Sequence, residues 1–250
     1  MNLTNPVEQR QFNLRKKEIR ERIWSLLEKE DVTLFPGARG RIPNFKGAEL
    51  GAKLLVTLPE WQKAHQIKAN PDAPQRPVRY LALTSDKTIY MAVPRLRKKE
   101  CFVKLAPAEI PTNKLYEASS IKGAFKFGTP VHPKEIPLID LIVAGSVAVN
   151  QTGSRVGKGG GYSDLEYAIG REYGFVKEDV VILTTVHPLQ IIEGDLPETD
   201  HDFRIDFIVT PKEVIRTQRQ GGRPRGVIRA HLTDEKISEI PILQETLSLH

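Results

Sequence analysis

One cysteine, Cys101, stands in 250 residues. An intrachain disulfide is therefore excluded, and a reducing compartment is expected. With no acid–base partner in its own stretch, Cys101 reads as a small buried residue rather than a nucleophile. Aromatic residues make up 7% of the chain. Trp24 and Trp61 both fall in apolar helical stripes and are assigned to the core. No apolar run approaches the ~20 residues of a membrane span. The opening segment "MNLTNPVEQRQFNLRKKEIR" lacks the apolar centre of a secretory signal. These absences lead us to expect a cytoplasmic protein with no membrane contact. Internal repeats and low-complexity blocks are absent as well. His187, His201, Asp202 and Asp206 are the residues a metal would draw on. His201 and Asp202 are adjacent, so on a strand their side chains would point apart, and no structural zinc is expected.

Charge is more informative. Lys and Arg number 37 against 31 Asp and Glu, a formal net charge of +6, and the isoelectric point is about 9.3. That excess suits an anionic partner such as a nucleotide, a polyglutamylated cofactor or RNA. Hydrophobic content of 40% and charged content of 27% are ordinary for a globular chain. The length suggests one domain spanning 1–250. A basic extension begins near 212 and carries "TQRQGGRPRGVIRAHL" with Arg219, Arg223, Arg225 and Arg229.

The first element is helical in pattern from about Val7 to Glu30, with Ile19, Ile23, Leu26 and Leu27 as its apolar stripe. Lys16 and Arg20, four residues apart, project side by side. "KGAELGAKLLVTL" (46–58) predicts a short helix with Leu50, Leu54 and Leu55 inward. "PEWQKAHQI" adds a further turn with Pro59 at its first position, and "NPDAPQRP" (70–77) is linker. "VRYLALT" (78–84) and "TIYMAV" (88–93) are β-rich around the hairpin-sized gap "SDK". "PLIDLIVAGSVAVN" (137–150) predicts a strand covered on both faces. "DVVILTTV" (179–186) and "DFRIDFIVTP" (202–211) follow as strands. Strands alternating with helices indicate an α/β fold, here three-layer α/β/α with a mostly parallel central sheet and a basic N-terminal helix.

Between the buried strand and the next helix stands "NQTGSRVGKGGGYSDLEYAIG" (150–170), with six glycines. Ser163 and Glu166 match the S-x-x-E capping box. Leu165, Ala168, Ile169 and Tyr173 give the helix an inner face, and Gly174 closes it. A glycine run of this kind is either a flexible surface loop or a phosphate cradle; strand, glycine-rich turn and helix N-terminus in that order favour the cradle, because unpaired amides and the helix dipole attract anions. Arg155 and Lys158 add charge-assisted donors. Asp164, just inside the helix, either assists a phosphate-bound Mg²⁺ or complements the dipole. The spacing is neither G-x-x-x-x-G-K-[ST] nor G-x-G-x-x-G, since Gly159 follows Lys158 and Tyr162 stands where a third glycine belongs.

"GSRVGKGGGYSDLEYAI" resembles the G-x-R-L-G-x-G-x-G-Y-Y-D signature of the 5-formyltetrahydrofolate cyclo-ligase (methenyltetrahydrofolate synthetase) family. "TTVHPLQIIEGDLPETDHDFRIDFIVTP" is similar to that family's closing block, and "LRKKEIRERIW" to its opening basic helix. "RIPNFKG", "PRLR", "GRPRG" and "IPIL" (41–47, 94–97, 222–226, 240–243) bring the whole chain closest to the divergent methenyltetrahydrofolate synthetase domain-containing branch. In animals that branch carries an added RNA-recognition domain, for which a chain of this length has no room.

The resemblance implies ATP and Mg²⁺ as cofactors and a folate-like substrate. The formyl oxygen of 5-formyltetrahydrofolate takes the γ-phosphoryl group. N10 then closes the ring and phosphate leaves, giving 5,10-methenyltetrahydrofolate and ADP. Carried over, Arg155, Lys158 and the amides of Gly157, Gly159, Gly160 and Gly161 hold the phosphates, with Lys16 and Arg20 reaching them from the first helix. Tyr162 lies near the reacting centre and also faces substrate. Asp164 is the metal-side carboxylate, and Glu49 stands in for the folate-pocket Glu. Lys16, Arg155, Tyr162 and Asp164 would be the catalytic set. Two departures fall on the substrate side: Ser163 replaces the motif's second Tyr, and "FGTPVHP" has no Glu before its second proline, Pro133. Two rival functions follow from the departures and the basic tail. One is a non-catalytic relative that binds nucleotide, or binds RNA weakly through that tail. The other is an ATP-dependent enzyme acting on another pterin.

Overall fold

The computed structural model describes residues 6–219 and 221–249, with side chains from Glu8 onward. Residues 1–5 of the opening segment and Gln220 of the basic tail lie outside the described residues. In chain order the helices are α1 (Pro6–Lys29), α2 (Ala48–Leu55), α3 (Pro59–Lys63), α4 (Arg76–Thr84), α5 (Leu115–Ala118), α6 (Ile121–Phe127), α7 (Tyr162–Glu172), α8 (Asp234–Glu239) and α9 (Pro241–Leu247). The strands are β1 (Gln66–Ala69), β2 (Thr88–Ala92), β3 (Phe102–Leu105), β4 (Thr129–Val131), β5 (Leu141–Ala144), β6 (Ala148–Val149), β7 (Arg155–Val156), β8 (Val181–Thr185), β9 (Phe207–Val209) and β10 (Val214–Arg216).

Among the described residues the main sheet runs β10-β9-β8-β5-β1-β2-β3-β4. Its centre, β9 through β2, is parallel, and its two margins are antiparallel. Alternation along the strands divides the apolar side chains between two faces. Ile67, Met91, Leu141, Val143, Leu183 and Val209 meet the layer that includes α2, α4 and α6. Ala92, Ile142, Ala144, Ile182 and Ile208 meet α7 and α9. The expected three-layer α/β/α architecture with a mostly parallel sheet is therefore observed. The basic first helix packs Ile23, Trp24 and Leu27 onto Val147, Ala148 and Val156. Among the described residues no helix is long and apolar enough to cross a membrane.

Four local expectations are corrected. Residues 78–84 form part of α4, not a strand: Pro77 sits in the first turn, where its missing N–H costs nothing. Val78, Arg79, Ala82 and Leu83 then face inward at helical spacing. The gap "SDK" is thus a helix-to-strand connection, with Asp86 at φ 56°. The segment after α3 is strand β1, whose Gln and Lys hid it from apolar patterning. Leu50 is 53% exposed, because the inner face of α2 is Ala48, Gly51, Ala52 and Leu55. Finally, the N-cap of α7 is Gly161, at φ 67° and with no side-chain cap. Ser163 and Glu166 are inside the helix and are used in tertiary contacts.

Candidate functional site

From β1 the chain leaves toward β2 on one side of the sheet, whereas β5 lies on the other side. Strand order thus reverses between β1 and β5, and in an open α/β sheet such a reversal leaves a crevice at the carboxyl ends of the strands. Asn70 follows β1 and Gly145 follows β5, and the Gly145 amide donates to Asn70 Oδ1 at 3.4 Å. Asn70 is 5% exposed. Its Oδ1 also accepts from Ser163 Oγ at 3.2 Å and from Lys68 Nζ at 3.5 Å. Lys68 is buried against the carboxylate of Glu166, which α7 supplies. The two residues of the supposed capping box therefore bolt α7 to the end of β1.

The segment read as linker is pinned from below. Arg79 Nη1 donates to the carbonyls of Asn70 (2.6 Å) and Asp72 (3.0 Å), and Nε donates to Ser119 O at 2.9 Å. Its burial pushes the guanidinium pKa down to about 10. Gln75 Nε2 donates to Thr185 Oγ1 at 3.1 Å, tying the same segment to β8.

Past Gly145 the chain forms the two-stranded β6–β7 ribbon, which returns Arg155 over the sheet end. Arg155 is 3% exposed. It donates to Gly145 O at 2.9 Å and to both Asp164 oxygens at 3.0 Å, with its guanidinium 4.2 Å from the Phe203 ring centroid. Arg155 and Asp164 thus form a closed pair beneath the glycine turn, and both carboxylate oxygens expected at a metal face Arg155 instead.

Residues 157–161 turn above that pair. Gly159 and Gly161 have φ of 109° and 67°, in the left-handed region where side chains are strained. Among the described residues, no amide from 157 to 161 donates a hydrogen bond. Arg20 Nε donates to Gly157 O at 2.7 Å, and Lys158 Nζ lies 3.0 Å from Asp72 Oδ1. Lys16 is buried in an ion pair with Asp202, whose carboxylate also accepts from the Thr199 amide at 2.7 Å. This pair anchors α1 one turn before Arg20. Tyr162 is half-buried at the start of α7. Glu49 is exposed on the first turn of α2, a helix that packs on the 73–75 turn. Lys16, Arg20, Arg155, Lys158, Tyr162 and Asp164 therefore gather around one turn, while Glu49 stands on a separate element.

Sequence reading missed Asn70, Asp72 and Arg79, whose roles depend on remote partners, and took Asp202 as a metal candidate rather than as the partner of Lys16. "NPD" directly after a short strand was the one local signal. His201 and Asp202 lie in a turn rather than on a strand. His201 meets His231 edge to face with ring centroids 5.1 Å apart, while Asp202 faces Lys16. Among the described residues no three His, Cys, Asp or Glu side chains gather as a metal site. Cys101 is buried, and burial raises its thiol pKa to about 12. An open cavity of about 420 Å³ beside Asp202 is lined by residues that include Phe12, Thr199, Arg204 and Arg223.

The unpaired amides and surrounding cations fit an anion of triphosphate type. The carboxylates do not make a protein-only Mg²⁺ site: Asp164 is engaged by Arg155, and Asp72 shares one oxygen with Lys158. Mg²⁺ ordinarily binds through substrate phosphates with one or two carboxylates, and the Oδ2 of Asp72 has no hydrogen bond among the described residues.

The sequence profile of the 5-formyltetrahydrofolate cyclo-ligase family matches residues 13–211, ending where the basic extension begins. The chain is 41% identical to a methenyltetrahydrofolate synthase domain-containing protein of Mus musculus, over 94% of this chain and 63% of that protein. It is 36% identical to the Homo sapiens protein of the same name, over 95% of this chain and 63% of the relative. The chain thus spans a little over three fifths of the length of the curated relatives it matches. Among solved structures it is similar to the 5,10-methenyltetrahydrofolate synthetase of Aquifex aeolicus, with a TM-score of 0.48 at 22% identity over 87% of this chain and 96% of that one. Because the profile spans most of α1, the glycine turn and the strands after it, the chain belongs to the 5-formyltetrahydrofolate cyclo-ligase family.

Proposed function

We propose that the chain catalyses the ATP- and Mg²⁺-dependent conversion of 5-formyltetrahydrofolate to 5,10-methenyltetrahydrofolate. The observation that carries this reading is the set of unpartnered amides at 157–161, in a turn whose cations outnumber its unpaired carboxylates, within a chain of this family. In the reaction, MgATP supplies the phosphoryl group that activates the formyl oxygen. N10 closes the ring as phosphate departs, and ADP and phosphate are released.

The chain's own part is positioning and charge neutralisation, which dominate phosphoryl transfer. Amides 157–161, Arg20 and Lys158 bind phosphate oxygens. The Arg155–Asp164 pair holds the floor of the turn, and Lys16 positions Arg20 through its anchor on Asp202. Tyr162 borders the reacting centre, and Glu49 is assigned to the folate side. The experiment incubates pure protein with ATP, Mg²⁺ and 5-formyltetrahydrofolate and follows the near-ultraviolet absorbance of the methenyl product. Folded, ATP-binding protein that forms no product would refute the proposal.

A further inference from the structure

The basic extension is stitched to the family core rather than held apart from it. Arg223 is buried, donates to the carbonyls of Arg204 and Val180, and pairs with Asp206. Arg219 also pairs with Asp206, and Arg229 with Asp234. The Val227 amide donates to Glu172 at 2.7 Å. Ile240, Ile242 and Leu243 join the apolar cluster that holds Leu165 and Ile169 of α7. Three of the four arginines of the supposed nucleic-acid tail are thus engaged in ion pairs.

This path delivers α8 to the glycine turn. Thr233 caps the helix by accepting from the Lys236 amide at 3.2 Å. The Lys236 ammonium donates to Gly160 O at 3.1 Å and lies 5.3 Å from the centroid of the Tyr162 ring. A Cβ built on Gly161 would come within 3.3 Å of Nζ. On the opposite flank Arg20 grips Gly157 O at 2.7 Å. The two cations thus hold the carbonyls at both ends of the turn.

Lys236 has no carboxylate within ion-pair distance among the described residues, since Asp164 is held by Arg155. It is half-buried nonetheless, and burial lowers its pKa against the pull of Asp164. An ammonium carries three donors, of which Gly160 O takes one. A partly dehydrated cation with spare donors and no ion-pair partner among the described residues has the means to take an anion.

We propose that Lys236 is a phosphate-binding residue of the glycine turn, so that the C-terminal extension supplies the third cation of the nucleotide site. The inference rests on the nucleotide-binding reading above. The closing experiment measures ATP, inorganic tripolyphosphate and adenosine affinities by calorimetry, for the full chain and for Lys236→Gln and Lys236→Arg. Gln keeps a donor for Gly160 O and removes the charge. Gln is expected to weaken ATP and tripolyphosphate by about tenfold or more, to leave adenosine unchanged and to unfold at nearly the native temperature. Arg should restore most of the affinity. A folded Gln variant that binds tripolyphosphate like the native chain would overturn this inference alone. Native chain that binds neither ATP nor tripolyphosphate would overturn the nucleotide reading itself. Should Gln fail to fold, the Arg variant decides: restored folding with restored binding supports the proposal, and restored folding without binding refutes it.

Discussion

Neutralising Asp164 while keeping its shape, as Asp164→Asn, strands a guanidinium that is 3% exposed. Arg155 would keep its bond to Gly145 O and its place over Phe203, but it would lose the one ion-pair partner it has among the described residues. Breaking a buried ion pair from one side costs about 3–5 kcal/mol. Asp164 retains 12% of its side-chain surface, so water screens part of that loss and the expected cost is about 3 kcal/mol. In guanidinium chloride, with a slope of roughly 6 kcal/mol per molar for a chain of this size, the midpoint should fall by about 0.5 M. Arg155→Met should cost a similar amount by leaving the Asp164 carboxylate uncompensated. The double variant Arg155→Met/Asp164→Asn removes both charges and should be no less stable than either single variant, giving a coupling of about 2 kcal/mol or more. Additivity of the single effects to within about 0.5 kcal/mol would refute the closed pair and return Asp164 to a role as a free carboxylate.

Lys158→Ala removes an exposed lysine whose pairing with Asp72 is worth at most about 1 kcal/mol. Folding should therefore be unchanged while ATP affinity falls about tenfold, and calorimetry that shows unchanged affinity would remove Lys158 from the phosphate site. The histidines make stability pH-dependent. Burial lowers the pKa of His201, with Asp202 and Asp164 opposing and Lys16 and His231 reinforcing. Burial, with Lys212, lowers that of His187. A depressed imidazole pKa means that the unfolded chain takes the proton first. Stability is therefore complete above the unfolded value of about 6.5 and is lost as pH falls through that value toward the folded ones. The two Nδ1 atoms of His201 and His231 are 2.9 Å apart, so one must donate and the other accept. Urea midpoints at pH 7.5 and 5.5 should differ, and by less in His201→Gln; equal losses in both proteins would clear His201 of the effect.

Much of the architecture was legible because its cause is local. The stripe Ile19, Ile23, Leu26 and Leu27 repeats at helical spacing, β8 is β-branched and aliphatic throughout, most of 137–150 is apolar, and Gly174 at φ 78° ends α7 as read. Charge density around the glycines marked the turn for the same reason. What escaped was set by distant partners. Lys68 in a central strand violates apolar patterning unless Glu166, almost a hundred residues later, is known to be beside it. The same holds for Arg79, inside a helix that read as a strand, because its bonds go to backbone carbonyls at 70, 72 and 119. Ser163 and Glu166 matched a local motif and were claimed by Asn70 and Lys68 instead.

These misreadings cluster on either side of residues 70–75, and the reason is physical rather than accidental. A crevice at the point of strand-order reversal needs polar groups at the sheet's interior edge, and buried polar groups persist only when each has a partner. The partners arrive from α4, α7 and β8, so the sequence around the crevice obeys tertiary demands over local propensity. By the same logic Lys236 was hidden in an extension read only as basic. Its charge has meaning only once Arg223 and Ile242 have brought α8 to the turn. Local rules failing together around one loop, with every buried charge there answered from afar, single out the crevice between β1 and β5 more sharply than its glycines do.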